Sequence, residues 1–286
     1  MKNQVYYKTA NIDGLTIFYR ETGVRKDSTL LLLHGFPSSS HMYRDLIAIL
    51  SESFHVIAPD YPGFGQSSAP TLQEYNYTFD TLSDTIEHFI DHLDLRNINL
   101  YIQDYGGPIG MRIALRRPEL ISSLIIQNAN AYLEGLGEAL APLTAYIENQ
   151  NNETESKARF FLTLEATKWQ YFNGAENVDK ISPDSYTLDQ YYLDRPGNDL
   201  IQLALFRDYG SNVMKYDDWQ DYFRKHQPPA LVVWGKNDVM FVSAGGDAYK
   251  KDLPNAQVFQ INGGHFLLEE HHSTVAQYIH DFLSHL

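Results

Sequence analysis

Hydrophobic positions change their period as the chain proceeds, and each change predicts a different element. Two arms around Val5 to Tyr7 and Leu15 to Tyr19, separated by the turn residues Asp13 and Gly14, predict a hairpin. From Leu30 short continuous apolar runs take over: Leu30 to His34, His55 to Ala58, Asn99 to Gln103, Ser123 to Ile126 and Ala230 to Trp234, with a last strand at Gln257 to Ile261. A run that is apolar on both faces reads as a buried parallel strand. Between the runs, Met42 to Leu50, Thr78 to Leu93 and Ile109 to Leu115 carry apolar residues at three- and four-residue spacing. Arg116 and Arg117 follow the last of these, where positive charge complements a helix C-terminus. Alternating strand and helix predicts a mostly parallel sheet covered on both faces. Ligands of such sheets bind beyond the carboxyl ends of the strands, so the residues just after each strand carry most of the functional information.

The alternation stops after Gln127 and resumes near Pro228. The intervening segment is rich in tyrosine, includes the polar stretch Glu148 to Lys157, and has helical patterns at Lys157 to Tyr171 and Leu200 to Tyr209. The expected organisation is a core of residues 1–130 and 226–286 with a helical insertion, 131–225, lying over the carboxyl edge of the sheet as a cap. No internal repeat or low-complexity linker interrupts it.

Composition narrows the function classes. The 286 residues are 43% hydrophobic, ample for a packed core. The formal charge of −14 repels a polyanion, which sets nucleic acid aside. Absence of cysteine removes thiolate catalysis, disulfides and cysteine-ligated metal, and fits a reducing compartment. Met1 to Asp13 has no apolar signal core and the longest aliphatic run, Leu30 to Leu33, is too short to span a bilayer; a cytoplasmic protein without membrane partner is the expectation. Oligomeric state is not encoded in any of these features.

Chemistry enters at Ile102-Gln103-Asp104-Tyr105-Gly106-Gly107, which follows a strand and opens a helix. A nucleophile elbow needs such a turn, with small neighbours that let one side chain stand above the sheet. Taken alone, Asp104 reads rather as a helix cap, a role typically stabilising by about 1 kcal/mol. Three further features stand at strand ends. His34-Gly35-Phe36-Pro37 offers the Phe36 backbone N–H, which with that of Tyr105 makes an oxyanion hole. Trp234-Gly235-Lys236-Asn237-Asp238 and Gly263-Gly264-His265-Phe266 supply a carboxylate and an imidazole able to pair, Asp238 holding His265 in the tautomer that leaves Nε2 free as a base. The chain order nucleophile, acid, histidine is the order this kind of sheet uses.

His34-Gly35-Phe36-Pro37, Asp60-Tyr61-Pro62-Gly63-Phe64-Gly65-Gln66-Ser67, the Asp104 elbow, Asp238 and Gly264-His265-Phe266 together resemble the epoxide hydrolase and haloalkane or haloacetate dehalogenase branch of the α/β-hydrolases. The resemblance covers the whole core and is weaker in the cap. It implies an α/β-hydrolase fold with a mostly parallel eight-stranded sheet, helices on both faces and a helical cap. It also implies that Asp104 attacks, His265 activates water and Asp238 orients His265, without cofactor or metal, on a small-molecule substrate with water as co-substrate. A carboxylate with an ordinary pKa near 3.9 is already charged at neutral pH. It therefore suits attack on saturated carbon, giving an alkyl ester that water then cleaves.

The leaving group separates the possibilities. A halide needs hydrogen-bond donors, whereas an epoxide oxygen needs an acid such as a phenol. The cap offers Tyr171, Tyr186, Tyr191, Tyr192, Tyr209 and Tyr216, and Phe206-Arg207-Asp208-Tyr209 resembles the second cap tyrosine of epoxide hydrolases. Tyr105 and Phe36 stand where haloalkane dehalogenases carry Trp and Asn, while Ile102 and Gln103 look more like dehalogenases, and Trp169 offers a halide donor. Epoxide hydrolysis leads; haloalkane or haloacid dehalogenation is the alternative, and a non-catalytic ligand receptor on the same fold is the reading of another class. His88 with His92, and His271 with His272, lack convergent partners and read as solvated helix faces rather than metal sites. Asp60 reads as a turn residue, and Asp217, Asp218 and Asp221 as helix-start and surface charges.

Overall fold

The computed structural model describes residues 4–24 and 28–286. Eight strands form one sheet: β1 (Tyr6–Ile12), β2 (Leu15–Thr22), β3 (Thr29–Leu33), β4 (His55–Pro59), β5 (Ile98–Gln103), β6 (Ile121–Gln127), β7 (Ala230–Gly235) and β8 (Gln257–Ile261), in the order β1-β2-β4-β3-β5-β6-β7-β8. The predicted hairpin is present and longer than its apolar arms. β1 and β2 pair antiparallel across Asp13 and Gly14, both at positive φ (52° and 86°), which suits the twist of a two-residue hairpin turn. β2 joins β4 antiparallel, and from β4 onward every pairing is parallel.

The continuous apolar runs follow from burial on both faces. Leu31 and Leu33 of β3 enter one hydrophobic cluster and Leu30 and Leu32 the other; Leu100 and Ile102 of β5 oppose Tyr101 in the same way. Helices α1 (Arg44–Leu50), α2 (Phe79–His92) and α3 (Gly106–Arg116) connect the strands. Thr78 and Leu93, the ends of the predicted periodic stretch, are the caps of α2, Thr78 accepting from the Thr81 N–H at 3.1 Å. After β3 the chain turns toward β4, and after β5 toward β6. The sheet thus has its topological switch point between β3 and β5, and a crevice opens above their carboxyl ends.

Between β6 and β7 lie α4 (Ala141–Glu148), α5 (Asn152–Arg159), α6 (Leu164–Phe172), α7 (Pro183–Leu193), α8 (Asn198–Asp208), α9 (Gly210–Val213) and α10 (Tyr216–His226). The single helical pattern expected from Lys157 to Tyr171 is divided: α5 ends, a 3₁₀ turn covers Phe160–Leu162, and Thr163 takes extended backbone to cap α6. Helices α11 (Ser243–Ala248) and α12 (Leu268–Ser284) complete the core. Buried Arg112 of α3 ties α3 to α9 through Asn212 Oδ1 (2.7 Å) and Ser211 Oγ (2.9 Å). Among the described residues no helix is long and apolar enough to cross a membrane.

Candidate active site

Asp104 is the first residue after β5 and has φ of 48°, in the left-handed region that a non-glycine residue enters only when its surroundings hold it there. The turn closes because Gly106 lies against β3, where a Cβ would stand 2.0 Å from the Leu33 carbonyl oxygen. The Asp104 side chain lies against Gly35, whose missing Cβ would fall 2.6 Å from Asp104 Oδ1. The Phe36 N–H donates to that oxygen at 2.7 Å, and the Tyr105 N–H also reaches the carboxylate. Two backbone donors thus converge on one carboxyl group.

His265 Nε2 is 3.9 Å from Asp104 Oδ2, and its Nδ1 donates to Asp238 Oδ2 at 2.7 Å. Asp238 is fixed on its other side by the N–H groups of Met240 (2.8 Å) and Phe241 (3.1 Å), both donating to Oδ1. Burial opposes a charged imidazolium, but the charge and hydrogen bond of Asp238, with Asp104 behind, outweigh it and leave His265 above its ordinary value. Burial also pushes the Asp104 carboxyl up, against the opposing pull of His265 and the two N–H groups. The carboxyl is therefore not unperturbed, as its residue type alone implied.

Sequence reasoning gave no role at this site to three of its residues. Asn128, just beyond β6 at φ 40°, donates to Asp238 Oδ2 (2.8 Å) and accepts from the Gly235 N–H (2.9 Å), locking the acid's loop to the neighbouring strand end. Gln103 approaches His265 directly, its Nε2 lying 3.0 Å from the imidazole Nε2. Gln170 is buried on the wall of the cavity with its amide nitrogen unpartnered. Placement after a strand was the available signal for Asn128; nothing local marks Gln170.

Asp104 forms the floor of a cavity of about 330 Å³. Its walls are largely apolar, from Phe36, Leu140, Ile147, Phe161, Phe206 and Phe241 among others, with Tyr105, Thr144, Glu148, Gln170 and Tyr209 as the polar exceptions. Of the six tyrosines considered between β6 and β7, Tyr209 alone lines it. Tyr171 instead donates to buried Asp189 at 2.6 Å and stacks on Phe266 at 3.9 Å; Tyr191 is exposed; Tyr216 sits behind Tyr209 and accepts from Asn130 at 3.2 Å. Trp169 does not reach the cavity. Successive helical residues point about 100° apart, so on α6 Gln170 takes the cavity wall and Trp169 packs, half-buried, against the hydrophobic core. Burial, reinforced by Tyr216 and the Asp104 charge, drives the Tyr209 phenol well up, which keeps it protonated. His88 pairs with Asp13 on the surface, and among the described residues no group of three or more His, Cys, Asp or Glu side chains is arranged to hold a metal.

A carboxylate on a left-handed turn, a histidine held by a second carboxylate and two converging N–H donors thus meet at the switch point of a mostly parallel sheet. Residues 28–272 match the alpha/beta hydrolase fold family, and the chain belongs to it; it is a hydrolase. An uncharacterised hydrolase of Saccharomyces cerevisiae, YNR064C, is 40% identical over 278 residues, covering 96% of this chain and 95% of its own. A haloalkane dehalogenase of Psychrobacter cryohalolentis is 29% identical, covering 93% and 88%. The solved structure of an epoxide hydrolase, CorEH, superposes with a TM-score of 0.80 at 19% identity, covering 98% of this chain and 99% of that one.

Proposed function

We propose that the protein opens epoxides on small, neutral, apolar molecules through a covalent ester on Asp104. The observation that carries this reading is Tyr209: a protonated phenol on the wall of the cavity whose floor is the Asp104 carboxylate. Asp104 attacks a ring carbon, the C–O bond breaks, and Tyr209 gives its proton to the departing oxygen. Water then loses a proton to His265 Nε2 as its oxygen bonds to the Asp104 carbonyl carbon, and the N–H groups of Phe36 and Tyr105 hold the oxyanion. Collapse breaks the bond to the alkyl oxygen, which takes the proton from His265, and the carboxyl proton left on Asp104 returns to the Tyr209 phenolate. The segment 131–225 serves as the lid that keeps bulk water from the ester.

Halide displacement uses the same covalent step, and Gln170 is the side chain that favours it as a second reading, being an unpaired amide on the same wall. A haloacid fits less well: no Lys or Arg is among the described residues lining the cavity, and Glu148 adds negative charge there. Matched panels of epoxides and haloalkanes, assayed for diol and for halide, separate the two. Diol formation with the epoxides is the expected result, and halide release alone overturns the epoxide reading. In His265→Gln the ester is expected to accumulate as a mass increase on Asp104; wild-type turnover with no adduct on the variant removes the covalent step.

A further inference from the structure

Gln103, the last residue of β5, is fully buried, and its side-chain amide meets the atom on which the second half of the reaction depends. Its Nε2 is 3.0 Å from His265 Nε2, nearer than the closest oxygen of Asp104 at 3.9 Å. With the Nδ1 proton committed to Asp238, a neutral imidazole presents a lone pair at Nε2, and Gln103 donates into it. The other end of the same amide, Oε1, is buried and has no partner. Nearly all buried polar atoms are paired, so an acceptor left empty beside a group that gains a proton during turnover points to a use in the protonated state.

We propose that Gln103 is a positioning residue that follows the proton on His265, donating through Nε2 to the neutral imidazole and, after its amide turns over, accepting through Oε1 from the imidazolium. The inference rests on the reading of His265 as the base. The two ends of an amide are nearly the same size, and Gly35 leaves the space beside it: a Cβ there would be 2.4 Å from Oε1. The ionisable groups facing His265 are Asp238, from the loop after β7, and Asp104; the rings of Phe241 (5.7 Å) and Phe266 (5.3 Å) close other sides. In the free enzyme the Gln103 donor favours neutral His265 and discourages an ion pair with Asp104 that would weaken the nucleophile. When water gives up its proton, the turned amide stabilises the new N–H and keeps the ring in the plane from which that proton reaches the leaving oxygen.

Gln103→Glu keeps the shape but only accepts, so it holds the imidazolium. The midpoint for ester hydrolysis should move up by at least about one pH unit, making release near neutrality about tenfold slower, with the ester accumulating on Asp104 by mass spectrometry. Gln103→Leu, which neither donates nor accepts, should slow release without the upward shift. In the wild-type protein, which needs no variant to fold, the ¹⁵N resonance of the Gln103 side-chain amide should titrate with the midpoint of His265 Nε2. Wild-type pH profiles in both folded variants, or an amide resonance that ignores the His265 titration, overturns the proposal. If His265→Gln traps the ester while the Gln103 experiments fail, this inference falls alone; if His265→Gln traps nothing, the base assignment falls with it.

Discussion

At the scale of single residues, the two charges that matter most are displaced in the same direction for different reasons. In the proposed mechanism Asp104 must be ionised to attack, and its pKa is raised by burial; His265 must be neutral to accept a proton, and its pKa is raised because Asp238 and Asp104 outweigh burial. As pH falls, ester hydrolysis is expected to be lost as His265 protonates, with Asp238 favouring the imidazolium, before ester formation is lost as Asp104 protonates, since an imidazole ordinarily titrates above a carboxyl. Rapid-quench experiments across mildly acidic pH should find a burst of ester with slow release, and parallel loss of both steps would contradict the assignment. Gly35 tests the nucleophile's placement. A Cβ there would come 2.3 Å from that of Asp104, so Gly35→Ala must push the carboxylate off its two donors. A displacement on the order of 1 Å costs about 100-fold, to be read as kcat/KM beside an unchanged circular dichroism spectrum.

At the scale of elements, α6 and the end of α8 decide which side chains face the substrate. Tyr209, the residue following α8, lies 6.1 Å ring to ring from Tyr105 and 5.8 Å from Phe79, a setting that holds its ring on the wall of the cavity that Asp104 also lines. Tyr209→Phe should lower the rate of ester formation from epoxides at least about tenfold, the low end for loss of a positioned acid, and leave hydrolysis of a preformed ester alone. Equal slowing of both steps would make Tyr209 a packing residue. Trp169→Phe, one turn position away from the cavity wall, should leave the relative rates of the two substrate panels unchanged, and a selective loss of halide release would return Trp169 to the site.

At the scale of the whole molecule, the helices between β6 and β7 are held to the core partly through a buried acid. Asp189 of α7 accepts from Tyr171, which stacks on Phe266 beside His265, and burial pushes the Asp189 carboxyl up to about 7. A raised carboxyl favours the neutral form in the folded chain. Its contribution to stability is therefore complete below the ordinary value of 3.8 and is lost as pH rises toward 7. Asp189→Asn keeps an acceptor for Tyr171 without the charge, so its Tm should change less than that of the wild type between pH 5 and pH 8. Equal pH dependence in calorimetry would show that Asp189 plays no part in it.

The sequence by itself determined the parallel sheet, because strands buried on both faces must be apolar throughout, as Leu30 to Leu33 and Leu100 to Ile102 are. It also determined the order of Asp104, Asp238 and His265 at strand ends, since a strand's end fixes where the next residue stands. Only the tertiary structure decided the rest. Gln103 meets His265 across 162 positions of chain, and Asn128 meets Asp238 across 110, pairings that no local spacing encodes. It put Gln170 rather than Trp169 on the cavity wall, because the rotation of α6 is set by what packs behind it. Asp104 could be read from the sequence as charged and ready; its burial, which shifts that charge upward in pH, exists only once Phe36, Tyr105 and the covering helices have closed over it.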